Sequence, residues 1–175
     1  MAENLNYKTE NSYCYRDSAI YCVKYGRLYT WAAAVGNTEE ECGFGKICNL
    51  GAGIVRGVCP EGWHLPSYAE WHILFTAVGA SAVGEKLRTT SGWIKFGNGE
   101  DGNGSDAFGF SVLPTGSRNS SGFFIGVCRD AGFWSLSEDD YIYSAHCMRL
   151  NDYDGKVSMY DCDKRNGLAV RCLKD

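Results

Sequence analysis

The stretch Val58-Cys-Pro-Glu-Gly-Trp-His-Leu-Pro-Ser-Tyr-Ala-Glu-Trp71 contains the clearest helix start in the chain. Ser67 is followed three residues later by Glu70, which is the spacing of a capping box. Pro66 stands immediately before the cap and ends the incoming extended segment, because proline has no amide hydrogen to donate. The stretch therefore predicts an extended segment up to Leu65, followed by a helix capped by Ser67.

The residues after the cap continue this helix with one apolar stripe. Trp71, Leu74, Phe75 and Val78 recur at the i, i+3, i+4 and i+7 positions that share a helix face. Gly79 then supplies a residue that readily takes the left-handed conformation at a helix end. We expect a helix of about three turns.

Outward from this helix, the chain places helical segments before a run of short strands. Thr30 is the expected cap of a short helical turn ending at Val35, and residues 80–87 are the second predicted helix. The expected strands are 108–113, 132–136, 143–150, 156–160 and 168–173. This order indicates a single α+β domain over residues 1–175. The tryptophans expected in its core are Trp31, Trp63, Trp71 and Trp134.

Composition and charge exclude several classes of partner. The formal net charge of the 175 residues is −4, which provides no basic surface for nucleic acid. No apolar run approaches the length of about 18 residues that a membrane-spanning helix requires. We therefore expect neither a nucleic-acid-binding nor a membrane-spanning protein.

The nine cysteines are spread along the chain rather than grouped in Cys-x-x-Cys units, so a zinc finger is not expected. Their distribution favours disulfides and an oxidising compartment, with buried free thiols in the cytosol as the alternative. Cys14–Cys22 and Cys42–Cys48 are close enough in sequence for short loops to bridge them. Pairing among Cys128, Cys147 and Cys162 remains open, and the odd total leaves at least one thiol without an internal partner.

Motifs along the whole chain resemble those of the Fibrobacter succinogenes major paralogous domain family. The matching stretches are Met-Ala-Glu-Asn-Leu-Asn-Tyr7, Tyr25-Gly-Arg-Leu-Tyr-Thr-Trp-Ala-Ala-Ala34, Arg56-Gly-Val-Cys-Pro-Glu-Gly-Trp-His-Leu-Pro-Ser67, Ser91-Gly-Trp93, Asp106-Ala-Phe-Gly-Phe-Ser111, Leu113-Pro-Thr-Gly-Ser-Arg118, Phe133-Trp-Ser135 and Val170-Arg-Cys-Leu-Lys-Asp175. The pattern is more distantly similar to formylglycine-generating enzymes and C-type lectin-like domains. The resemblance implies a C-type lectin-like, or sulfatase-modifying-factor-like, fold of two helices packed on short antiparallel strands.

The same resemblance implies a secreted or surface protein of a fibre-degrading bacterium. It also implies a Cys59–Cys172 disulfide, since the first helix and the last strand are neighbours in lectin-like domains. Family members usually carry a further strand before the Met-Ala-Glu-Asn motif, so we expect that strand to be missing here. Because no signal peptide is present at Met1, the extracellular interpretation requires a longer precursor.

The favoured function is a non-catalytic, extracellular recognition or adhesion module that binds plant polysaccharide or another surface protein. A copper oxidase of the formylglycine-generating type is the alternative, although the chain has no close cysteine pair in its C-terminal part. In that case His64 or His146 would be the candidate base beside a cysteine. A purely structural surface domain is the third hypothesis.

The expected binding site lies in the polar loops between Trp93 and Asp130, because loops carry recognition on a rigid scaffold. The aromatic candidates for stacking on a sugar ring are Trp93, Phe96, Phe123, Phe124 and Tyr153. The candidates for contacts with hydroxyl groups are Asp101, Asn103, Arg118, Asn119 and Arg129. No cofactor is expected; calcium held by Glu100, Asp101 and Asp106 is the alternative to a solvated loop.

Overall fold

The computed structural model describes residues 1–51, 53–79, 82–94, 101–151 and 156–175, which form a mixed arrangement of helices and small antiparallel sheets. The helices are α1 (Ala19–Tyr25), α2 (Trp31–Ala34), α3 (Glu39–Cys42), α4 (Tyr68–Val78) and α5 (Val83–Leu87). The strands are β1 (Ser12–Tyr13), β2 (Leu28–Tyr29), β3 (Trp63–His64), β4 (Ser117–Arg118), β5 (Phe124–Ile125), β6 (Asp130–Glu138), β7 (Ser144–Asn151), β8 (Val157–Asp163) and β9 (Leu173–Lys174).

The largest sheet of the described residues has the order β6-β7-β8 and confirms three of the predicted strands. The remaining pairs are β1 with β2, β3 with β9, and β4 with β5. The predicted strand 168–173 is only partly formed: Leu168 and Ala169 make isolated bridges, and regular pairing begins at Leu173. Because β9 pairs with β3, the end of the chain lies beside the stretch that starts the central helix.

Helix α4 begins as the sequence predicts. The Ser67 hydroxyl accepts from the amide of Glu70 at 3.3 Å, and the Glu70 carboxylate accepts from the amide of Ser67 at 2.8 Å. These two bonds form the capping box. Gly79 ends the helix with a φ of +88°, a conformation that an L side chain rarely adopts. Thr30 also caps α2 as expected, because its side chain accepts from the amide of Ala33.

Two apolar clusters lie on opposite faces of β6. Phe133 belongs to the cluster that contains Trp71, whereas its neighbour Trp134 belongs to the cluster that contains Trp31. Successive side chains of a strand point to opposite faces, so β6 contributes to both clusters. Trp63 is half-buried and packs against the Trp31 cluster, at its edge.

Four disulfides cross-link the chain, and only one of them joins residues that are far apart in the sequence. Three are the predicted pairs, Cys14–Cys22, Cys42–Cys48 and Cys59–Cys172. The fourth, Cys147–Cys162, joins the neighbouring strands β7 and β8, and Cys128 is the free thiol. The structure thereby decides a pairing that the sequence left open.

The predicted buried strand at 108–113 is wrong. Phe108 is 58% exposed, and Ser111 has a φ of +54° that interrupts an extended conformation. The Asp106 carboxylate accepts from the amide of Ser111 at 2.7 Å, so a side chain satisfies backbone that a strand would pair. The carbonyl of Ser111 accepts from the buried Arg171 guanidinium at 2.7 Å. These polar contacts hold the segment as a loop.

Three further points concern the limits of these elements. The second predicted helix is present from Val83 to Leu87, and the start of its predicted range lies outside the described residues. The predicted turn after Asn151 also lies mostly outside them. Within the described part of the chain, no helix has the length and apolar character needed to cross a membrane.

Candidate functional site

Trp93, the expected stacking platform, is a core residue and cannot serve that purpose. It is 2% exposed, and its indole N–H donates to the carbonyl of Val112 at 3.0 Å. The guanidinium of Arg88 lies 5.3 Å from the centre of its ring. Trp93 belongs to the Trp71 cluster. Its burial is tolerated because the indole N–H finds a hydrogen-bond acceptor inside the fold.

The polar candidates beside Trp93 stabilise their own loops. The side-chain oxygen of Asn103 accepts from the amide of Trp93 at 2.9 Å, and the carboxylate of Asp101 accepts from the amide of Asn103 at 2.7 Å. Asn119 accepts from the amide of Phe123 at 2.9 Å and so closes a turn. These hydrogen bonds occupy the groups that were expected to contact sugar hydroxyls.

The remaining candidates in these loops are divided between packing and exposure. The guanidinium of Arg118 lies 4.1 Å from the centre of the Tyr13 ring and 5.9 Å from that of Phe124. Arg129 is half-buried, and Phe123 is 69% exposed. The other two aromatic candidates, at positions 96 and 153, lie outside the described residues. The structure therefore does not bring the predicted residues together into one pocket among the described residues.

The two described carboxylates of the calcium alternative, Asp101 and Asp106, accept hydrogen bonds within their own loops. The carboxylate oxygens of Asp106 accept from the amide and the hydroxyl of Ser111 at 2.7 and 2.6 Å. The carboxylate of Asp101 also accepts within its own turn, and Glu100 lies outside the described residues. Both described carboxylates therefore accept hydrogen bonds from nearby residues of their own loops.

A cleft of about 670 Å³ lies elsewhere, at the N-terminal side of the fold. Three segments form its walls: residues 5–11 of the N-terminal segment, residues 33–40 from the end of α2 to the start of α3, and residues 56–60 of the extended arm. This volume falls within the range of small-ligand sites in proteins. The polar lining residues are Tyr7, Thr9, Glu10, Asn11, Asn37, Thr38, Glu39, Glu40 and Arg56.

Buried contacts hold the walls of this cleft in position. The hydroxyl of the fully buried Tyr29 donates to the carbonyl of Tyr7 at 2.7 Å and anchors the N-terminal wall. The hydroxyl of Thr30 donates to the carboxylate of Glu39 at 2.5 Å and anchors α3. The arm is held by the Cys59–Cys172 disulfide. The walls are therefore largely pre-formed.

Close backbone approach sets the floor of the cleft. Gly57 has a φ of +59°, and a β-carbon there would lie 2.4 Å from the carbonyl oxygen of Ala34. A β-carbon on Gly36 would lie within 3.1 Å of Gly57. Both positions require glycine, since any side chain would separate the arm from α2.

The cleft is acidic and rich in hydrogen-bond acceptors. Glu10 and Glu40 are exposed, and Glu39 is half-buried at its hydrogen bond with Thr30. Tyr7 is 63% exposed and adds an aromatic face. Carboxylates accept hydrogen bonds from hydroxyl or ammonium groups, so the arrangement is suited to a polyhydroxylated or cationic ligand. Its only sequence signal was the run Glu39-Glu-Glu41, because the walls are far apart in sequence.

The two histidines considered as bases interact with carboxylates instead of thiols. His64 Nδ1 lies 2.6 Å from Asp175 and its Nε2 lies 2.9 Å from Glu70. Burial lowers the pKa of His64, but the hydrogen bonds and charges of these two carboxylates outweigh it, so the pKa is raised. His146 Nδ1 lies 2.8 Å from Asp161. The free thiol of Cys128 is half-buried.

Together, the fold and the cleft define a small disulfide-linked domain of mixed helices and antiparallel strands with an acidic cleft. A family model described as the Fibrobacter succinogenes major domain matches residues 1–174. The chain belongs to this family, which confirms the resemblance noted in its sequence motifs. No curated protein and no solved structure matches the chain.

Proposed function

We propose that this domain is a non-catalytic recognition module of a secreted or surface-attached bacterial protein, and that it binds polysaccharide in the acidic cleft. The observation that carries the proposal is the cleft itself: a pre-formed cavity with carboxylates, amides and an exposed tyrosine on its walls. Sugar-binding sites combine an apolar face with a few polar groups that orient hydroxyls. This assignment replaces the loops around Trp93 as the binding surface.

The cysteines support an extracellular location. Eight of the nine cysteines are paired in four disulfides. Disulfides persist in oxidising compartments and are rare in the cytosol of most organisms. Four disulfides in 175 residues therefore favour a domain that acts outside the cytoplasm.

The proposed architecture is C-type lectin-like. In support of it, the arm before the central helix pairs with the last strand, with His64 opposite Leu173. The Cys59–Cys172 disulfide joins the same two regions. A domain in which the arm before α4 is joined to the last strand presents its loops and clefts on a rigid frame, as recognition requires.

The state of the cysteines favours this function over the copper oxidase alternative. Formylglycine-generating enzymes place two reactive cysteines close together in the C-terminal part. Here Cys147 and Cys162 are bonded to each other, and Cys128 alone has a free thiol. A second thiol for such a site would require reduction of a disulfide.

Isothermal titration calorimetry with cellohexaose, xylohexaose and mannohexaose tests the proposal. At least one of the three should bind. The double variant Glu10→Gln/Glu40→Gln should weaken that binding at least tenfold, because the amides replace carboxylate acceptors with weaker ones. Glu85→Gln is the matched control, since Glu85 is exposed on α5 and does not line the cleft.

Two results would contradict the proposal. The first is the absence of binding by all three saccharides while an oligolysine peptide binds, which would make the cleft a site for basic protein segments. The second is an equal loss of binding in the Glu85→Gln control, which would place the site elsewhere.

A further inference from the structure

A histidine and two aspartates meet at one end of the β6-β7-β8 sheet, beside Tyr68 of α4. Asp139 directly follows β6, His146 lies in β7 and Asp161 lies in β8. His146 and Asp161 are directly opposite each other in the strand register. Each residue offers one ligand atom, and these three atoms all lie within 4.8 Å of one another. Among the described residues, this is the one group of three or more histidine, cysteine or carboxylate side chains that could hold a metal ion. It includes none of the residues predicted to bind calcium.

We propose that Asp139, His146 and Asp161 form a binding site for a divalent transition-metal ion of the Zn²⁺ type. One imidazole and two carboxylates are ligands that such ions accept in proteins. His146 Nδ1 and Asp161 Oδ1 are 2.8 Å apart. Two adjacent ligands around an ion with bonds of roughly 2.0–2.2 Å lie roughly 3 Å apart, so this pair already has the required spacing.

The strands that carry these ligands are fixed relative to each other. Cys147 follows His146, Cys162 follows Asp161, and the two cysteines form a disulfide. The disulfide is buried, with Cys147 at 0% and Cys162 at 4% exposure, whereas Asp161 is exposed on the other face. A covalent bond therefore lies behind the two ligands and holds β7 and β8 together at this point. Such a frame reduces the entropy that ion binding would otherwise cost.

Further hydrogen bonds orient the third ligand. The hydroxyl of Ser144 donates to one oxygen of Asp139 at 2.6 Å, and the amide of Asp140 donates to the other at 2.7 Å. The hydrogen bond from Ser144 lowers the pKa of Asp139 and outweighs the opposing effect of burial. Outer partners of this kind fix the direction of metal-binding carboxylates.

The site lies beside an aromatic surface of α4. The ring of Tyr68 is 4.8 Å from that of His146 and 4.5 Å from that of His72. Tyr68 is 38% exposed, so it covers one side of His146 without closing the site to solvent. Three protein ligands leave further coordination positions for water or a ligand group, as in open zinc sites. No residue of this site lines the acidic cleft, so the two proposals can fail independently.

Equilibrium dialysis of tag-free, EDTA-treated protein against ZnCl₂, followed by elemental analysis, tests the site. One ion should bind per chain. His146→Gln and Asp161→Asn should each weaken binding at least tenfold, since removing a metal ligand costs that much or more. His72→Gln is the matched control, because His72 contacts the same tyrosine but lies outside the ligand group. Cys128→Ser is the second control and tests the free thiol.

Far-ultraviolet circular dichroism spectra and thermal melting curves verify that each variant is folded. Histidine NMR spectra supply an independent measurement: Zn²⁺ should shift the imidazole signals of His146 and leave those of His64 unchanged. The inference is overturned if no stoichiometric ion binds, if His146→Gln binds as tightly as the native chain, or if either control loses binding to the same extent.

Discussion

Removal of the Cys59–Cys172 disulfide should destabilise this domain far more than removal of Cys42–Cys48. The first bond joins residues separated by 113 positions, and the second joins residues separated by 6. In the chain-entropy model, a disulfide stabilises by restricting the unfolded chain, and the effect grows with the logarithm of the loop length. The model assigns about 5 kcal/mol to the long loop and about 2 kcal/mol to the short one.

The double variants Cys59→Ala/Cys172→Ala and Cys42→Ala/Cys48→Ala compare the two bonds. Three of these four cysteines are at most 2% exposed and Cys48 is half-buried, so side-chain truncation costs the long-loop variant only slightly more than the short-loop variant. The difference in the free energy of unfolding should therefore be about 2–3 kcal/mol. Since small domains have a total stability of only about 5–15 kcal/mol, the long-loop variant should approach the limit of folding.

Urea unfolding followed by tryptophan fluorescence and far-ultraviolet circular dichroism measures both quantities. The long-loop variant should also show a larger m-value, because its unfolded state exposes more surface without the cross-link. A short-loop variant that is as destabilised as the long-loop variant, or more so, would refute the reasoning. It would show that local strain or packing, rather than loop entropy, determines what these disulfides contribute.

Three further substitutions and one control test individual contacts. Ser67→Ala should lower the free energy of unfolding by about 1 kcal/mol, as loss of an N-cap does, and an unchanged urea midpoint would contradict the observed cap. Trp93→Ala should cost about 3–5 kcal/mol, as buried aromatic truncations do. Phe123→Ala is the exposed control and should stay within about 0.5 kcal/mol in the same urea titration. His64→Gln should remove stability that is fully present below the ordinary histidine pKa of about 6.5 and disappears as the pH rises through the raised folded-state pKa. The difference in Tm from the native chain should therefore shrink as the pH is raised from about 6 to about 9, and a constant difference would contradict the ion pair with Asp175.

The elements specified by neighbouring residues could be predicted from the sequence. The capping box of Ser67 and Glu70 and the glycine stop at Gly79 are local interactions, and all of them occur in the structure. The short-range disulfides Cys14–Cys22 and Cys42–Cys48 were predicted for the same reason, since their loops close within a few residues. Family motifs added the long-range Cys59–Cys172 pair, which local reasoning alone would not have chosen.

Contacts between distant residues were decided only by the tertiary structure. Trp93 lies in a polar, glycine-rich region of the sequence, yet packing against Arg88 and Val112 buries it. The segment around Ser111 has the apolar pattern of a strand, but Asp106 and the buried Arg171 take its backbone groups, because side-chain hydrogen bonds compete with strand pairing.

Both proposed sites depend on the same kind of long-range assembly. The acidic cleft combines three segments that are separate in the sequence. Glu10 and Glu40 line the same cavity only in the folded chain. Asp139, His146 and Asp161 are brought together by the register of three strands. A residue pattern determines helices, strands and caps because these depend on near neighbours. A binding site depends on which distant surfaces pack together, and here the sheet, the disulfides and the buried side chains decide that.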